Sequence, residues 1–253
     1  MKEKVQTETN TSVDSITVSQ IVRNDYRTAE VFKKWGINYC CGGELPLEKA
    51  CALKGIDAAP IEAELEEATK TVNLPNALQF NEWPVVFLVD YIIYVHHGYL
   101  KNVLPKLSQH INSFVSGHTK KYPYLQEVER TFSNLAEEVL EHTKKEEESI
   151  FPYVKQIANT FERKETYGSL FVRTMRQPLS EVIKKEHSRI SNLLLSLREQ
   201  TDNYRFRPDA CTNHQVIYHK LKEFDADMVQ HKHLENNILF PQVLEMEKSL
   251  LQF

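Results

Sequence analysis

The segment HTKKEEESIFP, residues 142–152, returns 89 residues later as HKHLENNILFP, residues 231–241. His142, Glu146, Phe151 and Pro152 in the first copy and His231, Glu235, Phe240 and Pro241 in the second keep the same offsets. Positions i and i+4 share one face of an α-helix, so each His/Glu pair can address a single point. The phase is inward. Phe132, Leu135, Val139, His142, Glu146 and Ile150 form one stripe, and Leu221, Phe224, Met228, His231, Glu235 and Ile238 form another. A lone HxxxE is usually a surface ion pair, but two copies set among core residues are not. A buried, uncompensated carboxylate costs several kcal/mol, so two in one core require cations, and metal ions supply them most economically.

A centre of this kind needs more walls than two. His187 falls on the stripe Ile183, His187, Ile190, Leu194, and His97 on Val89, Ile93, His97, Leu100, Leu104. His96 competes with His97, because it shares the adjacent stripe with Ile92, Tyr99 and Val103, and phase alone does not choose between them. His118, in the GHTKKYP segment, reads on spacing alone as a loop histidine.

Working outward, the chain of 253 residues carries only seven glycines and long stretches rich in Leu, Glu, Lys and Gln, which predicts an all-α protein. Four amphipathic segments, about 82–108, 124–159, 169–200 and 212–249, predict an up-down four-helix bundle over residues 82–253. Residues 1–12 are polar and expected to be disordered. Residues 13–72 form a small helical domain in which Thr17 or Ser19 caps a first helix and Ala29–Trp35 forms a second, ended by Gly36. Cys40-Cys41-Gly42-Gly43 then makes a turn, Pro60 suits the first turn of a later helix, and residues 73–81 form a linker. The longest apolar run, Trp83 to Val95, is too short and too interrupted by Asp90 to span a bilayer. A net charge of −4 with interspersed signs argues against nucleic acid. Four cysteines without a framework or zinc spacing, and an N-terminus without a secretory signal, place the chain in the cytoplasm.

INYCCGG, HHGYLKNVLP, GHTKKYP, HTKKEEESIFP, KKEHSRISNLL and HKHLENNILFP occur in this order, and with them nearly the whole chain resembles the repair-of-iron-centres di-iron proteins of the YtfE and ScdA type, within the haemerythrin-like group. The resemblance selects His97 over His96 and adds His118. It implies two non-haem irons with an oxo or hydroxo bridge, held by His97, His118, His142, Glu146, His187, His231 and Glu235. It also puts Glu138 and Glu186 beside the centre as supporting acids, and makes Cys40 and Cys41 thiols able to hold iron, accept a nitrosyl or dock a damaged cluster. Cys51 and Cys211 are read as structural, and His96, His110, His214, His219 and His233 as surface or packing residues.

Two irons offer about twelve coordination positions, and five imidazoles, two bridging carboxylates and one bridging oxygen leave about one open for a small ligand such as O₂ or NO. Histidine and carboxylate suit iron without excluding manganese, and the lack of cysteine in the set argues against a cluster or structural zinc in the bundle. The resemblance implies repair of iron–sulfur clusters damaged by oxidative or nitrosative stress through iron donation, with damaged iron–sulfur proteins as partners and a homodimer as the assembly. An NO-reducing enzyme and an O₂- or NO-binding sensor are the alternatives.

Overall fold

The computed structural model describes residues 16–40, 42–71, 78–174 and 179–252, with backbone only for 179–186. Among these the chain is helical throughout, with one isolated bridge between Thr17 and Pro46. None of the helices is long and apolar enough to cross a membrane.

The chain divides into two compact units. The first comprises Met1–Val72 with Asp209–Val216. Its helices are α1 (Val18–Asn24), α2 (Thr28–Lys34), α3 (Leu47–Lys54) and α4 (Ala59–Thr69). Thr17 caps α1 in a reciprocal box with Gln20, α2 ends at Gly36 in a left-handed conformation (φ 64°), and Pro60 lies in the first turn of α4. Val18, Val22, Phe32, Ile37, Leu47, Cys51 and Ile61 form the core, joined by Val216. Ser19 and Thr212 share a hydrogen bond of 3.0 Å, and the Tyr39 hydroxyl donates to Asn213 Oδ1 at 3.1 Å. Gly43 is obligatory in the turn after Cys40, because an added Cβ would lie 2.5 Å from the Tyr39 carbonyl oxygen.

The second unit comprises Asn73–Pro208 and Ile217–Phe253. Its first long helix joins α5 (Val85–Tyr91) to α6 (Gly98–His118) through a wide π turn at Ile92–His97. The second joins α7 (Leu125–Lys145) to α8 (Phe151–Glu162) through a π turn at Glu146–Ile150. A short α9 (Gly168–Thr174) precedes α10 (Leu179–Gln200). The last joins α11 (Thr212–Leu234) to α12 (Phe240–Leu251) through a π turn at Glu235–Leu239. Helix α7 packs between α6 and α10, and α8 against α5 and α12.

The first long helix continues ten residues beyond the expected end near 108. Pro105 and Gly117 are both accommodated inside it, because Leu107, Ile111, Phe114 and Val115 keep its apolar face buried. The π turns also alter the expected stripes. Phe132, Leu135, Val139, Leu221, Phe224 and Met228 are fully buried as their phase requires, but after Glu235 the extra residue turns Leu239 into the core and leaves Ile238 only partly covered.

Candidate metal centre

The π turns lie at the ligand-type residues: one ends on His96 and His97, and the other two begin with Glu146 and Glu235. The π turns over Glu146 and Glu235 are followed closely by Pro152 and Pro241, whose missing N–H falls where the hydrogen-bond ladder returns to α spacing. Widening the first helix at this point buries both His96 and His97, at 2% and 0% exposure, which is why phase alone could not separate them.

Two buried groups of donors result. His97, Glu146, His231 and Glu235 form one, and His142, Glu146, His187 and Glu235 the other, with the ligand atoms of each group within 4.8 Å of one another. Both glutamates belong to both groups. Glu146 Oε2 lies 3.4 Å from His97 Nε2 and 3.3 Å from His142 Nε2. Glu235 turns Oε1 to His231 Nε2 at 2.7 Å and Oε2 to His187 Nε2 at 3.4 Å. All four imidazoles therefore present Nε2 to the same small volume. Donor–metal bonds of about 2.0–2.2 Å set neighbouring donors about 3 Å apart, so these separations fit two ions bridged by two carboxylates.

The electrostatics agree with this fit. The Glu235 carboxylate is fully buried and meets conventional hydrogen-bond geometry at neither oxygen, and His187 Nε2, 3.4 Å from it, likewise makes no conventional hydrogen bond. Burial alone would push Glu235 up, but His231, with His142 and His187 beyond it, holds the carboxyl below its ordinary range. Burial, reinforced by the neighbouring His231, pushes His97 down to about 4, and burial lowers His187 as well. Ionised carboxylates beside neutral imidazoles are the protonation states that metal binding requires.

The rings are held from behind. His97 Nδ1 lies 2.8 Å from Glu147 Oε1, and Lys101 Nζ lies 2.7 Å from both Glu147 oxygens. His187 Nδ1 lies 2.8 Å from Asn236 Oδ1. Glu147 and Asn236 directly follow the two shared glutamates, so the repeat fixes their place, although sequence reasoning passed over both. The repeated phenylalanines complete the arrangement: Phe151 stacks on His97 at 5.5 Å and Phe240 packs on His187 at 6.4 Å. His96, expected in surface or packing positions, is buried, stacks on His231 at 5.5 Å and pairs with Asp227 at 2.8 Å.

His118 does not join the donors. It is the last residue of α6, about 30 Å along a continuous helix from His97, with Nδ1 bonded to the Phe114 carbonyl at 2.8 Å and its ring stacked on Phe114. The expected ligand role required the chain to fold back before residue 118, and the helix does not end soon enough. Glu138 lies beside His142 in a cavity of about 410 Å³ and binds Arg189. The Glu186 side chain and Cys41 fall outside the described residues. Cys40 is half-buried in the first unit, as is Cys211; Cys51 is buried, which pushes its thiol up.

Comparison with known proteins gives two matches within the chain. Residues 14–69 match ScdA_N, a domain of unknown function, and residues 88–243 match the hemerythrin HHE cation binding domain. Proteins named iron-sulfur cluster repair protein YtfE from Escherichia coli O81 (strain ED1a), Escherichia coli O157:H7 and Escherichia fergusonii are each 31% identical over 221 residues, covering 87% of this chain and 93% of theirs. With its buried histidine–glutamate bundle and this similarity along most of its length, the chain belongs to the haemerythrin-like iron–sulfur cluster repair family.

Proposed function

We propose that this protein repairs iron–sulfur clusters damaged by oxidative or nitrosative stress, delivering iron from a di-iron centre bridged by an oxo or hydroxo group. The observation that carries this reading is the sharing of Glu146 and Glu235 between two buried donor groups, which provides for two adjacent ions. His97 and His231 hold one, His142 and His187 the other. The relatives' printed role in cluster repair supports the same reading.

When bound, the ions provide Lewis-acid positions and exchangeable iron. The protein buries four imidazoles and two carboxylates around one small volume, with His97 and His187 oriented from behind by Glu147 and Asn236. With four imidazoles in place of five, about one position stays open on each ion. A second reading uses the same residues: ferrous ions held by His97 and His231 and by His142 and His187 would each supply one electron, so that two NO and two protons would give nitrous oxide and water. In the repair reading residues 13–72 act as a separate domain whose Cys40 and Cys41 receive or dock the damaged client, and the chain works as a homodimer.

The deciding experiment mixes ⁵⁷Fe-loaded protein with an iron–sulfur enzyme whose cluster has been damaged by NO. Recovery of activity with transfer of ⁵⁷Fe into the client supports repair. Equal recovery with free ferrous iron, or with Glu146→Ala protein, contradicts it. Sustained nitrous oxide release under reducing conditions identifies the second reading.

A further inference from the structure

His97 and His187 are held at Nδ1 from behind, but His231 is held differently. Its Nδ1 is buried and meets no hydrogen-bond partner among the described residues, so the second contact that ordinarily fixes a ligand imidazole is missing there. What meets this ring is another ring. His96 lies parallel to it, with 6° between the planes and 5.5 Å between the centroids.

His96 is itself pinned. Its Nδ1 lies 2.8 Å from Asp227 Oδ1, and the Tyr91 ring meets it at 74° and 5.7 Å. Asp227 stands one turn before His231 on α11, so a ring supplied by the first long helix is clamped by the same helix whose histidine it touches. Stability does not account for the pair. His96 is 2% exposed, and its Nε2 and Asp227 Oδ2 are both buried without a hydrogen-bond partner among the described residues, a cost that an apolar ring in this place would not carry.

Resting on the di-iron reading above, we propose that His96 is a positioning residue for the metal: its face holds the plane of His231, keeping Nε2 on the ion shared with His97, and Asp227 sets the plane of His96. An imidazole turns easily about its Cβ–Cγ bond, and a turned ring swings Nε2 off its target. A flat, tethered ring against its face opposes that turn. His97 bounds the same ring, crossing it at 72° and 4.9 Å. The π turn at Ile92–His97 thereby gives two consecutive histidines separate tasks: His97 is the ligand, and His96 braces the ligand opposite.

The test loads the full chain anaerobically with ⁵⁷Fe(II) and compares chelator competition, Mössbauer spectra and the metal-free melting temperature across variants. His96→Ala should weaken the binding of one iron about tenfold or more, the range in which partners of metal ligands act, and change the quadrupole splitting of one of the two irons. His96→Phe, whose larger ring packs without a tether, should recover most of that loss. Asp227→Asn, whose amide oxygen still accepts from Nδ1, should match wild type, while Asp227→Ala, which leaves the smaller imidazole loose, should shift the same way as His96→Ala to a lesser extent. A lower melting temperature in His96→Ala with unchanged iron affinity and splitting would mean packing alone and overturns the inference. So does a His96→Phe chain that loses iron as readily as His96→Ala. If His96→Ala does not fold, Asp227→Ala with wild-type affinity and spectrum overturns it instead. These results leave the di-iron reading standing; a wild-type chain that takes up fewer than two irons is a failure of that reading itself.

Discussion

Replacing Glu235 by methionine should stabilise the metal-free protein while removing its capacity for two ions. Glu235 is fully buried, and its close contacts at 2.7 and 3.4 Å are imidazole nitrogens. In metal-free protein no metal ion meets this carboxylate, and the groups that face it in the core are imidazoles. Exchanging a buried ionic group for an apolar side chain of similar volume stabilises other proteins by about 1–4 kcal/mol, which for a unit of this size raises Tm by roughly 3–12 °C. Iron reverses the order. At a free-ion level about a thousand times Kd, binding stabilises the wild type by about 4 kcal/mol per site, and the variant gains little of this. Thermal melts of chelator-treated and iron-loaded protein at pH 8 should therefore rank loaded wild type first, Glu235→Met with or without iron next, and metal-free wild type last. A metal-free variant that melts below metal-free wild type would show that the carboxylate is satisfied by the fold and that the cradle reasoning is wrong.

His118→Ala should still bind two irons per chain, whereas His187→Ala should bind fewer; metal analysis after gel filtration separates them, and loss of iron from His118→Ala would return that residue to the ligand set. Metal-free stability should fall in acid. His97 accepts a proton near pH 4 when folded but near 6.5 when unfolded, so its contribution is intact above about 6.5 and declines as pH drops towards 4, by about 3 kcal/mol at about 1.4 kcal/mol per pH unit. Urea titrations across that range should show a correspondingly shallower loss in His97→Leu. Gly43→Ala should destabilise the first unit by about 1–3 kcal/mol through its clash with the Tyr39 carbonyl, detectable as faster proteolysis near the CCGG turn, with the di-iron content unchanged.

The repeated HxxxE made the bundle and its central pairs legible, because ligand-type residues on apolar stripes are costly unless something pairs with them. The π turns were not legible. Inserting one residue's worth of helix leaves no mark in composition, yet it buries His96 beside His97 and exchanges Ile238 for Leu239 in the core. The first long helix runs on to His118 rather than ending near 108, because Leu107, Ile111 and Phe114 bury its apolar face across Pro105 and Gly117. Glu147 and Asn236 were readable at equal offsets in the two copies, but as exposed-looking polar residues they drew no attention beside the shared glutamates. The grouping of Asp209–Val216 with the first unit depends on packing of Thr212, Asn213 and Val216 that no local pattern announces.

The most direct test of the central claim is Mössbauer spectroscopy with iron analysis on anaerobically ⁵⁷Fe-reconstituted wild type, beside Glu146→Ala and Glu235→Ala. The account predicts two magnetically coupled irons per chain, lost or reduced to one in each variant. A single iron, a preference for zinc, or two irons that persist without either glutamate would contradict it.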